Sequence, residues 1–115
     1  MRVLVLYAHP NPESFGAALH ATVVEAVTAA GHEVDDCDLY AEGFDPVLVV
    51  NEERRRRDLD KVEETRAHRE LVAWCDAMVF VYPVWWGGFP ALLKGWLDRV
   101  WVPFVTFELP SAPAA

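Results

Sequence analysis

Two short stretches hold residue types from which a binding site could be built. The first, AHPNPESFGAAL, places Ser14 and the backbone N–H groups of Phe15, Gly16 and Ala17 at the start of a helix. Unpaired amides and the helix dipole make such a start a site for phosphate or pyrophosphate. The stretch contains neither G-x-G-x-x-G nor G-x-x-x-x-G-K-[ST], so it is not a dinucleotide fingerprint or a P-loop. The second, YPVWWGGFPA from Tyr82 to Ala91, combines two tryptophans with two glycines. It offers a flat apolar surface, with backbone amides laid bare at Gly87 and Gly88. An aromatic shelf beside a phosphate site suits an isoalloxazine ring, whose faces take stacking partners and whose edge takes backbone hydrogen bonds. Together the two loops suggest a flavin.

Both loops need strands and helices to hold them. Val3 to Ala8 is a continuous apolar run, the pattern of a parallel strand covered on both faces. Ser14 or Asn11 caps a following helix, in which Phe15, Leu19, Val23, Ala26, Val27 and Ala30 recur at helical spacing up to a stop at Gly31. Glu33 to Tyr40 reads as an edge strand because of Asp35, Asp36 and Asp38. Residues 41–57 read as loop with a short turn. A second helix is expected over 58–75, with Ala67, Leu71, Trp74 and Cys75 on one face. Met78 to Tyr82 reads as a central, doubly covered third strand. Pro90 fits the first turn of a last helix, in which Leu92, Trp96 and Val100 form one ridge and Leu93, Leu97 and Trp101 another. Alternating strands and helices imply an α/β doubly wound parallel sheet in three layers. In such a sheet ligands bind beyond the carboxyl ends of the strands, where these two loops fall.

Composition narrows the function. The 115 residues are 53% hydrophobic, enough for one core and one domain over 1–115. A net charge of -8 argues against a nucleic-acid surface, which needs a basic face. The run Arg54 to Arg57 is flanked by Glu52, Glu53, Asp58 and Asp60 and reads as a solvated segment. Cys37 and Cys75 form no C-x-x-C, which suggests two reduced thiols and a cytoplasmic setting. No charge occurs from Ala77 to Leu93, but Pro83, Gly87, Gly88 and Pro90 argue against a membrane-spanning helix. No catalytic triad, carboxylate pair or metal cluster is evident.

Several segments resemble the flavodoxin-like NAD(P)H:quinone oxidoreductases, the family of DT-diaphorase. They are VLYAHPNPESF, the DLY at Asp38 to Tyr40, the FDPV at Phe44 to Val47 and, most specifically, YPVWWGGFPALLKGWLDRV from Tyr82 to Val100. The resemblance implies a non-covalent FAD or FMN, NADH or NADPH as hydride donor and a quinone-like acceptor reduced by two electrons through the flavin. It places His9 by the flavin phosphates and Ser14, Phe15 and Ala17 around the phosphate and ribityl chain. Gly16 stands where the family usually has asparagine, so a side-chain contact would be missing there. Pro83, Val84, Trp85, Trp86 and Gly87 would wrap the isoalloxazine, with Trp86 nearest the ring. The helix over 90–101 would be the family's dimerisation helix, while Trp96 and Trp101 would be structural. His20, His32 and His68 match no functional position and read as surface residues.

The family's sheet has five strands, of which three are expected here. Its glycine-rich flavin turn after the fourth strand is missing, along with a tyrosine and a histidine of the pocket. The chain therefore reads as the N-terminal part of such a domain, its third strand left as an apolar edge. The competing reading is a non-catalytic ancillary subunit of this fold, completing its sheet through a partner.

Overall fold

The computed structural model describes residues 1–54 and 56–110, with Val50 described by its backbone alone. Arg55 of the arginine run and residues 111–115 of the tail lie outside the described residues.

Three parallel strands, β1 (Arg2–Tyr7), β2 (Glu33–Asp38) and β3 (Ala77–Val81), form one sheet in the order β2-β1-β3. Val3 of β1 stands opposite Val34 on one side and Ala77 on the other. Alternation sends Leu4, Leu6 and Ala8 to one face, where they meet Leu93, Trp96 and Val100, and Val3, Val5 and Tyr7 to the other, against Val23, Val24 and Val27. Both faces are covered from Val3 onward, so every position from Val3 to Tyr7 is apolar and the run is continuous. β2 is an edge strand, as its aspartates required. β3 matches the expected apolar edge rather than the central strand that its apolar run by itself suggests. Among the described residues it pairs only with β1, and Ala77 to Phe80 are half-buried because one flank has no neighbour.

Helix α1 (Phe15–Ala29) covers one face of the sheet; α4 (Arg66–Trp74) and α5 (Ala91–Val100) contribute to the other. The layers are therefore three and the sheet is doubly wound. Phe15 and Leu19, assigned from spacing to the packed face of α1, are exposed. His20 stacks on Tyr7, the last residue of β1. The turn before His20 thus overhangs the end of the sheet and has little beneath it.

Residues 39–54 are more ordered than a loop, forming the short helices α2 (Leu39–Glu42) and α3 (Val50–Arg54). The single helix expected over 58–75 is broken into 3-10 segments at Arg56–Lys61 and Glu63–Thr65 before α4 begins. The break falls at Val62, whose backbone is extended with φ of -71° and ψ of 123°, and Arg69 donates to the Val62 carbonyl and to Thr65 Oγ1. A continuous helix would commit that carbonyl to the N–H of Arg66. The histidines are also less exposed than expected. His20 bonds Asp36 at 2.8 Å, while His68 lies between Trp96 and Glu42.

α5 starts one residue later than predicted, with Pro90 at the N-cap and its carbonyl accepting from Lys94 N–H at 3.0 Å. The helix is clamped to the segment after α2. Arg99 donates to both carboxylate oxygens of Glu52 at 3.1 Å and to the Asp45 carbonyl at 2.8 Å. This pair is buried, so removal of either partner would strand a charge. Gly95 lies directly under Pro46: a Cβ there would stand 2.2 Å from Pro46 Cβ and 2.3 Å from its carbonyl oxygen.

Gly95→Ala should therefore destabilise the fold by about 1–3 kcal/mol or more, although alanine is the better helix former by about 1 kcal/mol. Urea unfolding checks this. An unchanged or higher midpoint would show that the Pro46 segment is not seated on α5.

Candidate functional site

The loops after β1 and β3 begin side by side. Ala8 N–H donates to the Val81 carbonyl at 3.0 Å, carrying the strand pairing one residue past β1. Beyond that point the chain turns to opposite faces, into α1 from β1 and into α5 from β3, leaving a crevice between them.

The β1 loop is fixed by its own short-range bonds. Asn11 N–H donates to His9 Nδ1 at 3.0 Å, Glu13 N–H to Asn11 Oδ1 at 2.9 Å and Ser14 N–H to the Asn11 carbonyl at 3.2 Å. With Nδ1 occupied as an acceptor, the neutral His9 ring carries its proton on Nε2 and presents a donor there. Ser14 caps α1, its Oγ accepting from Ala17 N–H at 3.0 Å. Ala17 is thereby removed from the three amides counted in the sequence as free. Phe15 and Gly16 supply the helix start with its N–H donors, because Ala18 N–H already bonds the Ser14 carbonyl.

Gly16 has a role that the family comparison of side chains missed. A Cβ at this position would come within 3.2 Å of His9 Cδ2. The absent side chain makes room for the imidazole, which settles close over the first turn of α1. The His9 ring also meets Trp85 edge to face at 5.9 Å, joining the two loops.

The tryptophan turn is a tight two-residue hairpin. Trp85 and Gly88 exchange both backbone hydrogen bonds at 3.2 Å, and the two residues between them, Trp86 and Gly87, have φ of 54° and 75°. These are the dihedrals of a type I′ turn, which favours Asn-Gly. Glycine at 87 follows from that geometry. Tryptophan at 86 does not: a bulky residue in the left-handed region costs on the order of 1–3 kcal/mol, and the Trp86 side chain is fully exposed. It gains no packing within the chain for this strain. Val84 is also exposed, Pro83 is half-buried, and Phe89 returns the loop to the fold by packing on Tyr82 at 4.8 Å.

Toward β2 the site continues as a groove of ≈ 560 Å³ lined by Tyr7, His9, Pro12, Ala17, His20 and Asp38. Burial, then the Asp38 carboxylate, pushes the Tyr7 phenol above its usual range, with Ser14 opposing. Tyr7 is thus protonated at neutral pH. The sequence reading missed Tyr7 and His20, although Tyr7 closes the apolar run of β1 and His20 stands one helical turn beyond Ala17.

A family model described as the flavodoxin-like fold matches residues 1–113. The chain belongs to that family. An uncharacterized NAD(P)H oxidoreductase of Escherichia coli is 34% identical to this flavodoxin-like chain over 103 residues, covering 87% of it and 52% of the relative. The ribosyldihydronicotinamide dehydrogenase [quinone] of Mus musculus is 30% identical over 131 residues, covering 96% and 55%. In solved form, the NAD(P)H:quinone oxidoreductase from Methanothermobacter marburgensis superposes with a TM-score of 0.82 at 36% identity, covering 89% of this chain and 53% of that one. The flavodoxin-like chain spans about half the length of the curated relatives it matches.

Trp86→Asn should stabilise the free chain by about 0.5–1 kcal/mol, since asparagine accepts the left-handed conformation and nothing packed is lost. Thermal unfolding in the absence of ligand tests this. A lowered Tm would mean that Trp86 supports the fold.

Proposed function

We propose that this chain forms part of the flavin site of an NAD(P)H:quinone oxidoreductase. The observation that carries the reading is the meeting of an open helix start with a strained, exposed tryptophan turn at the β1/β3 crevice. The names of the relatives support it.

The residues present suit FAD or FMN held without a covalent bond. Phe15 and Gly16 N–H, with His9 Nε2–H, supply donors for phosphate oxygens, and Ser14 orders them by capping the helix. Pro83, Val84, Trp85, Trp86 and Gly87 form the apolar border for the ring system. The strain at Trp86 is then offset by stacking when the ring is bound. A bound flavin supplies two-electron chemistry, taking hydride from NADH or NADPH and reducing a quinone-like acceptor. The chain's part is to orient the ring, donate backbone hydrogen bonds and exclude water. No side-chain nucleophile is needed.

The assembly proposed is a homodimer through the helix over 90–101. Leu93, Trp96 and Val100 are consumed by the chain's own core, which leaves Ala91, Lys94, Asp98 and Trp101 as the outward face. Among the described residues no helix is long and apolar enough to cross a membrane. The free Cys37 and Cys75 suit a cytoplasmic setting. A second reading, a non-catalytic ancillary subunit, is favoured by one observation: the β3 flank that no described residue pairs.

The test is to add FMN and FAD separately to the 115-residue chain, desalt, and record the visible spectrum. Near-stoichiometric retention is expected, with His9→Ala weakening it roughly tenfold or more through loss of a donor to a charged oxygen. A folded protein that retains neither flavin would leave an inactive fragment or the ancillary subunit, with the enzyme reading belonging only to the longer relatives.

A further inference from the structure

On the face of the sheet opposite α1, four polar side chains from four elements cluster remote from both loops. Trp96 Nε1–H of α5 donates to His68 Nδ1 of α4 at 3.1 Å, and His68 Nε2 lies 3.1 Å from Glu42 Oε2 of α2. An indole nitrogen can only donate, so Nδ1 holds a lone pair and the proton of the neutral ring sits on Nε2, the nitrogen beside Glu42. Cys37 of β2 completes the group. Burial, then Glu42, pushes its thiol up to about 12, so it stays protonated beside Glu42.

Cys37 Sγ, a Glu42 oxygen and a His68 nitrogen lie within 4.8 Å of one another, close enough to suggest a metal's ligands. Trp96 argues against that use. A metal on Nε2 would move the ring proton to Nδ1, against the Trp96 N–H, and leave a buried indole without its acceptor. The same logic applies to a proton. A doubly protonated ring has no lone pair to offer Trp96.

We propose that His68 is a proton-operated latch: neutral, it ties α5 through Trp96 to α2 through Glu42; charged, it must release Trp96. The consequence reaches the tryptophan turn. Trp96 is fully buried and packs on Phe80 of β3 at 6.2 Å, and its helix begins three residues after Gly88. The groups facing His68 are Glu42 from α2, Asp35 and Cys37 from β2, Asp45 from the following loop, Glu64 from the 3-10 segment and Arg99 from α5. Arg99 is paired with Glu52, and the Phe44 ring lies against both Arg99 and His68. Burial outweighs Glu42 and Asp35 and holds His68 below the ordinary imidazole value of 6.5. The folded chain then binds fewer protons here than the unfolded chain. The stability contributed by the latch is present above pH 6.5 and is lost as pH falls through the folded-state value.

Imidazole ¹⁵N NMR on the 115-residue chain tests this, with the Trp96 indole signal assigned by its loss in Trp96→Phe. His68 should be the Nε2–H tautomer, and the Trp96 signal should shift with the same midpoint as the ring. Trp96→Phe should raise the proton affinity of His68 about three- to tenfold, the worth of one hydrogen bond. His68→Asn puts an acceptor oxygen near the place of Nδ1 but cannot charge. It should lose less Tm than the wild type between about pH 7.5 and pH 5. An Nδ1–H tautomer, a Trp96 signal indifferent to His68, or parallel Tm profiles would overturn the latch. So would a Tm rise with Zn²⁺ that Cys37→Ser abolishes, since the group would then be a metal site.

Discussion

A strand buried on both faces has no water to satisfy its backbone, so it must find strand partners on both flanks and helices above and below. β1 is in that position, with Val3 to Tyr7 almost wholly buried and partners at every residue of both registers. The rest of the chain follows from this requirement. β2 and β3 satisfy the two flanks, α1 closes one face, and α4 and α5 close much of the other. Because the strands are parallel, each return must cross over the sheet, and the loops after β1 and β3 emerge at the same end. The crevice between them is a by-product of how β1 is buried.

That crevice is built from opposite local economies. The β1 loop is relaxed: Asn11, His9 and Ser14 accept from the N–H groups of Glu13, Asn11 and Ala17, and the helix start offers open donors. The turn after β3 is strained at Trp86 and displays an aromatic that the fold itself does not use. Strain without internal compensation is characteristic of binding sites, where an interaction outside the chain completes the balance.

α5 links this site to the remainder of the molecule. Its Gly95 admits Pro46, its Arg99 holds Glu52 and the Asp45 carbonyl, and its Trp96 donates to His68. Three separate kinds of contact, steric, ionic and hydrogen-bonded, thus fix the helix that follows the tryptophan turn. A helix with so many internal obligations turns only Ala91, Lys94, Asp98 and the following Trp101 outward.

The sequence alone determined what repeats locally. The apolar run of β1, the Ser14 cap, the edge character of β2 and the helix after Pro90 were legible because strand burial, capping and turn chemistry depend on neighbours a few residues away. The site loops were legible for the same reason, helped by the length of the YPVWWGGFP motif. Tertiary structure decided the rest. The helix expected over 58–75 breaks where Val62 turns extended and its carbonyl accepts from Arg69, an arrangement that propensity does not register. Gly16 leaves room for the His9 ring over it, and Gly95 is needed because Pro46, 49 residues earlier, lies against it. His20 and His68 left the surface because Tyr7 and Trp96 were brought to them by the sheet and by α5. Such contacts join residues that no spacing rule connects, so only the folded chain reveals them.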